Sequence, residues 1–293
     1  METKAGGAGQ VRPAFILFLG VAYRERKEKM KVVITGPAGK MGRAMVRCAF
    51  EHPDIELTGA VGPVGRDYIG RDIGWVCGLG EETGLAVADD LETVISGCDT
   101  VLDCTNPETA MAALEVCIKH RKAFVTGTTG FSDGEVQRIR DAGSDIPVIR
   151  AYNTSRLFNL LFAVVRDVAS RIGARADIDI IDVHDRKKPD APSGTAKEIA
   201  GIIAEELDCD ETAFTYGRKG MALRRENSIA FTSIRSGGYP GSVKAVFGLD
   251  DERMELSAHV YNSDTYARGM IDAGMYLTGK GPGVYDLNGV FDL

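Results

Sequence analysis

The 293 residues are 44% hydrophobic and 26% charged, enough apolar material for two folded domains and too much for a disordered chain. A net charge of −7 opposes binding to nucleic-acid backbones, and six cysteines without a C-x-x-C pair beside only four histidines suggest neither a disulfide framework nor a metal site. The one membrane-like stretch, residues 14–23, is about half the roughly 20 residues of a spanning helix, so the expectation is a cytoplasmic protein with a small-molecule partner, no nucleic acid and no membrane.

Residues 1–29 read as an N-terminal extension outside the core, because the run Arg24-Glu-Arg-Lys-Glu-Lys29 offers no small-residue cleavage site and Met30 opens Met-Lys-Val-Val-Ile-Thr-Gly. From Lys31, short β-branched runs alternate with segments of helical period. Residues 32–35 predict a strand, 41–51 a helix closed by His52-Pro53, and 55–61 a second strand. Strands over 99–105 and 123–130 flank a helix over 108–120, and 147–151 supply another strand. This alternation predicts a doubly wound parallel sheet. Beyond Asn153 an apolar helix over 157–172, a strand over 177–184 and a helix over 195–207 lead into strands over 229–235, 242–249 and 253–261, patterned like an antiparallel sheet. A last helix, 265–277, returns the chain to the first domain. The fold expected is α/β, a Rossmann-like doubly wound sheet from residues 30–153 and 264–293 plus an α+β domain over 154–263 with a mixed or antiparallel sheet.

Gly36-Pro-Ala38-Gly39-Lys40-Met41-Gly42 stands between the first strand and its helix, where spaced glycines let backbone approach a pyrophosphate at a helix N-terminus. A carboxylate normally ends the second strand and holds the adenosine ribose, disfavouring a 2′-phosphate. Here that place reads Ala60-Val-Gly62-Pro63, with Arg66 and Arg43 nearby, which favours NADPH over NADH.

The segment His184-Asp-Arg-Lys-Lys188-Pro-Asp190-Ala-Pro-Ser193-Gly194-Thr195-Ala196 joins a strand to an amphipathic helix, placing amides and hydroxyls of Ser193, Gly194 and Thr195 at a helix start fit for a carboxylate. It resembles the signature E-x-H-H-x-x-K-x-D-A-P-S-G-T-A of 4-hydroxy-tetrahydrodipicolinate reductases, nicotinamide-dependent enzymes of the diaminopimelate route to lysine. Residues 36–42 resemble that family's G-x-x-G-x-M-G loop, Asp103-Cys-Thr-Asn-Pro its D-F-T-x-P, and Gly127-Thr-Thr-Gly-Phe its G-T-T-G-F. The resemblance implies a homotetramer whose second domain binds substrate and assembles the subunits. It implies Gly127 and Thr129 beside the nicotinamide carboxamide, Ala151 and Asn153 at the hinge, His184 as proton donor and Lys188 as catalytic lysine, with Ser193, Gly194 and Thr195 on a substrate carboxylate.

Four departures from the pattern gather in the sequence segments that the resemblance assigns to the substrate. Asp185 replaces the second histidine, Arg156-Leu-Phe-Asn159 replaces V-G-V-N, Gly241-Ser242-Val replaces G-E-H, and Ser263 replaces an arginine before Tyr266-Ala-Arg-Gly. They keep open a reductase of another imine or keto-amine and a non-catalytic NADPH-binding sensor.

Overall fold

The computed structural model describes residues 28–293; residues 1–27, most of the extension, lie outside the described residues. The first sheet begins with β1 (Met30–Thr35), whose Val32, Val33 and Ile34 are wholly buried, as a central strand covered on both faces requires. In α1 (Lys40–Glu51) one face is buried through Ala44, Met45, Cys48 and Ala49, and the helix stops where His52 turns extended ahead of Pro53. Then come β2 (Ile55–Val61), α2 (Ile73–Cys77), β3 (Val87–Ala88), β4 (Thr100–Asp103) and α3 (Pro107–His120). Asn106 caps α3 by accepting from the Thr109 N–H at 3.0 Å, with Pro107 at the first helical position. β5 (Ala123–Thr126), α4 (Asp133–Asp141) and β6 (Pro147–Arg150) complete the run.

The second part of the chain comprises α5 (Arg156–Ile172), β7 (Asp177–His184), α6 (Gly194–Glu206), β8 (Phe214–Tyr216), β9 (Ile229–Arg235), β10 (Gly241–Gly248) and β11 (Arg253–Val260). The chain then returns through α7 (Asp264–Leu277), β12 (Gly283–Tyr285) and α8 (Leu287–Phe291). The first sheet has seven strands in the order β12-β6-β5-β4-β1-β2-β3, and every neighbouring pair is parallel. This is the doubly wound order with β12 added at one edge.

The second sheet runs β11-β10-β7-β9-β8 and is mixed: β10 pairs antiparallel with β7 and β11, whereas β9 lies parallel to β7 and β8. The antiparallel patterning of residues 229–261 is corrected to this extent, because alternation reports which face of a strand is buried and not the direction of its neighbour. Phe158, Leu161, Val165 and Ala169 of α5 and Ile199, Ala200 and Ile203 of α6 pack on Ile178, Ile180, Phe231, Val243 and Phe247 to form this sheet's core.

The strand order of the first sheet reverses between β1 and β4, the crevice where such sheets bind ligands. Asp103, at the end of β4, is fully buried there. Its Oδ1 accepts from the hydroxyls of Thr35 at 2.7 Å and Thr105 at 2.6 Å, and its Oδ2 from those of Thr126 at 2.8 Å and Thr128 at 2.7 Å. An isosteric amide would present donors where two of these hydroxyls also donate. Asp103→Asn is therefore expected to lower unfolding free energy by at least about 2 kcal/mol in urea titration; an unchanged midpoint would mean that the hydroxyls are satisfied without the carboxylate.

Candidate active site

At the nucleotide end, no side chain caps α1 and no acid stands in its first turn, so its first-turn amides remain for an anion. A Cβ at Gly42 would overlap the Gly36 carbonyl, and only glycine there lets the helix start so close to the preceding turn. Lys40 reaches the large cleft described below, and the Cys77 Sγ–H donates to the Pro37 carbonyl at 3.4 Å, bracing the loop from α2. These features fit a dinucleotide pyrophosphate. After β2, Gly62 packs on Tyr68 and no acid stands at Gly62 or Pro63. Arg66 lies exposed in the following turn, and Arg43 Nε donates to the Ala38 carbonyl at 3.0 Å.

Beside the crevice, Met41, Cys104, Gly127, Thr129, Ala151 and Tyr266 line a hollow of about 230 Å³. Four residues singled out in the sequence, Met41, Gly127, Thr129 and Ala151, thus meet in one place. The Cys104 thiol is pushed up to about 12 by burial, with the Asp103 charge adding to the effect, so it is no nucleophile.

The larger cleft, about 1040 Å³, opens between the two sheets. Its walls include Lys40, Thr129, Ala151 and Asn153 from the first part of the chain and His184, Asp185, Lys188, Ser193, Gly194 and Thr195 from the second. The peptide crossing between the sheets is well anchored. Asn153 Nδ2 donates to Thr195 Oγ1 at 3.1 Å, and Thr154 Oγ1 donates to the Tyr266 carbonyl at 2.7 Å.

His184 ends β7 with its ring packed against Gly241, which adopts φ +152°; a Cβ at that glycine would stand 2.9 Å from His184 Cδ2 and Nε2. His184 Nδ1 lies 2.7 Å from Oδ1 of the fully buried Asp182, close but not aligned as a hydrogen bond. Oδ2 of the same carboxylate meets Arg235 Nη2 at 2.7 Å and accepts the Ser193 N–H at 2.9 Å. Burial works to raise the Asp182 carboxyl, but its contacts with His184, Arg235 and Ser193 outweigh it and hold the group far below the usual carboxylate range. Sequence reading missed both Asp182 and Arg235. The signal for the first was there: in Asp177-Ile-Asp-Ile-Ile-Asp182-Val-His184, a period of two puts Asp182 on the same face as Ile178 and Ile180.

Lys188 Nζ pairs with Asp190 Oδ1 at 2.8 Å; burial pushes the Asp190 carboxyl up, while the Lys188 hydrogen bond and charge bring it below its ordinary value. Asp185 lines the cleft, and its Oδ1 accepts the Lys187 N–H at 2.7 Å. One expectation is corrected: the Ser193 N–H is not free, since Asp182 holds it at 2.9 Å, and the Ser193 hydroxyl oxygen accepts from the Ala196 N–H at 3.2 Å to cap α6. The amides of Gly194 and Thr195 remain to face the cleft. Arg156 is not a cleft residue either; it pairs with Asp272 at 3.5 Å and lies over the Phe291 ring, while Phe158 is core.

Models of known families match nearly the whole described chain: "Dihydrodipicolinate reductase, N-terminus" over residues 30–154 and "Dihydrodipicolinate reductase, C-terminus" over residues 158–291. The 4-hydroxy-tetrahydrodipicolinate reductase of Hahella chejuensis is 37% identical over 266 residues, spanning 90% of this chain and 99% of that relative. Its namesake in Geobacter metallireducens is 35% identical over 266 residues, with the same two coverages of 90% and 99%. A dipicolinate-bound dihydrodipicolinate reductase from a Paenisporosarcina species shares the fold, with a TM-score of 0.67 at 24% identity over 88% of this chain and 97% of that one. The fold is also that of an amine dehydrogenase from Mycobacterium smegmatis, with a TM-score of 0.59 at 14% identity over 88% of this chain and 95% of that one. On two adjoining family models and relatives matched end to end, the chain belongs to the dihydrodipicolinate reductase family, the 4-hydroxy-tetrahydrodipicolinate reductases.

Proposed function

We infer that this chain is a cytoplasmic oxidoreductase that reduces 4-hydroxy-tetrahydrodipicolinate to tetrahydrodipicolinate, using NADPH in preference to NADH. The reading is carried by one cleft that brings His184, Lys188 and the start of α6 opposite Lys40, Thr129 and Asn153. Residues 30–153 with 264–293 would form the nucleotide-binding domain and 154–263 the substrate-binding and oligomerising one. α7 packs on α1 and on β4 and β5, which supports this division.

Reducing a conjugated cyclic imine needs a hydride on one carbon and a proton on its conjugate partner. The reduced nicotinamide supplies the hydride when bound. Gly36, Ala38, Gly39, Lys40, Met41 and Gly42 would hold the pyrophosphate, Arg66 the 2′-phosphate, and Gly127, Thr129, Ala151 and Asn153 the nicotinamide end. His184 gives the proton. Lys188 sets a positive charge towards the anionic substrate, and Gly194 and Thr195 offer a carboxylate the amides of a helix start, with Ser193 shaping that start.

A homotetramer is supported by the face of the second sheet turned away from α5 and α6. There Val183 stands opposite Ile234, which is exposed, and Ile181 and Val246 share the face with Asp179, Thr232 and Lys244, a mixed apolar and charged surface of the kind a second subunit can cover.

Cofactor titration is expected to give NADPH binding at least as tight as NADH. A preference for NADH above about tenfold, roughly 1.4 kcal/mol, would assign the ribose to another acid, such as Asp89 after β3, and overturn the assignment to Arg66. His184→Ala and Lys188→Ala are each expected to lower kcat by roughly 10²-fold or more while NADPH affinity holds, and of the two only His184→Ala, which takes a partner from the buried Asp182, lowers thermal stability as well. Near-normal turnover in His184→Ala takes the imidazole out of the mechanism.

Asp185 favours a second reading, a substrate bearing an amine, because its carboxylate lines the cleft where an anionic substrate would lie. On the first reading Asp185→His lowers KM for 4-hydroxy-tetrahydrodipicolinate, by roughly tenfold if a like charge costing about 1.4 kcal/mol is removed. Activity lost on that substitution would identify Asp185 as the counter-ion of a cationic substrate. Unchanged kinetics would mean that its bond to the Lys187 N–H keeps it turned from the substrate.

A further inference from the structure

Two basic side chains meet the buried Asp182 carboxylate, one at each oxygen: His184 Nδ1 at 2.7 Å from Oδ1 and Arg235 Nη2 at 2.7 Å from Oδ2. The same Nη2 donates to the Asp190 carbonyl at 2.6 Å, and Arg235 Nε reaches that carbonyl at 3.2 Å. One guanidinium thus joins the carboxylate under the imidazole to the far end of the loop that carries Lys188. Neither residue is among those that line the cleft, so both act through others.

We propose that Asp182 and Arg235 form a positioning pair for His184, the carboxylate fixing the ring at Nδ1 and the guanidinium both tempering that carboxylate and clamping the loop at Asp190. The proposal rests on the reading of His184 as proton donor. With Nδ1 held against the carboxylate, Nε2 is the nitrogen left to exchange a proton. An adjacent carboxylate favours the protonated ring, and a cation on that carboxylate weakens the effect. The remaining charges on this cleft come from several elements: Asp185, Lys188 and Asp190 on the loop, Arg166 on α5, Glu198 on α6, Lys40 on α1, Arg150 ending β6 and Asp286 before α8. From β10 comes only the uncharged Gly241. All of these side chains are retained in every variant, and Arg235→Lys, which keeps the charge and loses the second acceptor, separates the charge of the pair from its hold on the loop.

The test is an NMR titration of the imidazoles in the full chain, which has four histidines, with the His184 signal identified by its loss in His184→Gln. Relative to the parent protein, the His184 signal is expected to move to lower pH in Asp182→Asn and to higher pH in Arg235→Met. The alkaline limb of kcat should move in the same two directions. Absent shifts, or shifts of one sign in both variants, overturn the proposal, because a merely structural role has no reason to move the two oppositely. Arg235→Lys keeps the charge but cannot span both acceptors. It should leave the limb in place and raise substrate KM roughly 3- to 10-fold, about the worth of one hydrogen bond; an unchanged KM removes the clamp. Should Asp182→Asn fail to fold, the Arg235 pair alone decides, since only the proposal requires Met and Lys to differ in the His184 titration. If the NMR shifts appear while the kcat limb stays still, the pair holds the ring and the donor reading of His184 is what fails.

Discussion

The burial of Asp103 at the reversal of strand order is the constraint on which the first half of the cleft is built. A carboxylate withdrawn from water is stable only if its oxygens are fully provided with donors. Asp103 obtains them from the hydroxyls of Thr35, Thr105, Thr126 and Thr128, which stand at the ends of β1 and β5 and on the loops after β4 and β5. Thr128 Oγ1 in turn accepts the Thr105 N–H at 2.8 Å, so the two loops flanking the crevice are joined to each other as well as to the carboxylate. The walls that a nicotinamide would meet are therefore set by folding. Little ordering is left for binding to accomplish, which is how a preorganised site limits the entropy lost when a ligand arrives.

Asp182 plays the corresponding part in the second sheet, with a basic side chain at each oxygen and the Ser233 hydroxyl donating to Oδ2 at 3.3 Å. It too is fully buried at the C-terminal end of a strand, and its Oδ2 reaches across to the first amide of the next helical segment, Ser193. The difference in partners suits what each half has to do. Asp103 fixes backbone that must accommodate a ligand without carrying a mobile proton, whereas Asp182 lies against the one imidazole of the cleft. The two halves then meet at Asn153, whose side chain donates to Thr195 and accepts the Ser155 N–H at 2.9 Å. A connecting peptide held on both sides in this way ties the two sheets together.

Much of this could be read from the chain. β1, α1, β2 and β7 fall within two residues of where their patterning put them, because each is long, periodic and closed by a recognisable stop such as His52-Pro53. β3, β8 and β12 were not legible: strands of two or three residues carry no period, and they exist because a neighbouring strand offers an edge. α4 is different. Its polar composition hides it from hydrophobic patterning, yet Ser132 and Glu135 form a capping box that spells out its start. In the site, the glycine loop and the segment from His184 to Ala196 were legible because their spacing is chemical. Arg235 was not, since nothing in a strand sequence says that its side chain will reach the neighbouring β7, to an aspartate 53 residues away.

The same distinction governs what the departures from the family pattern mean. Arg156 stands in a segment that the resemblance assigns to the substrate, but it begins α5 and lies against Asp272 and the Phe291 ring. Asp272, which burial pushes up and Arg156 pulls back, gains from that cation, so the arginine joins α5 to α7 and α8. Leu157 faces outward and Phe158 fills the core of the second sheet. Ser263 only precedes the first turn of α7. At Gly241-Ser242-Val, the retained glycine is the residue that touches His184, and Ser242 is a ladder position opposite Val183. Only Asp185 puts a changed charge on the cleft wall. A change of substrate would have to be written in that single carboxylate, and a carboxylate already engaged with the Lys187 amide serves first to shape the turn that presents Lys188.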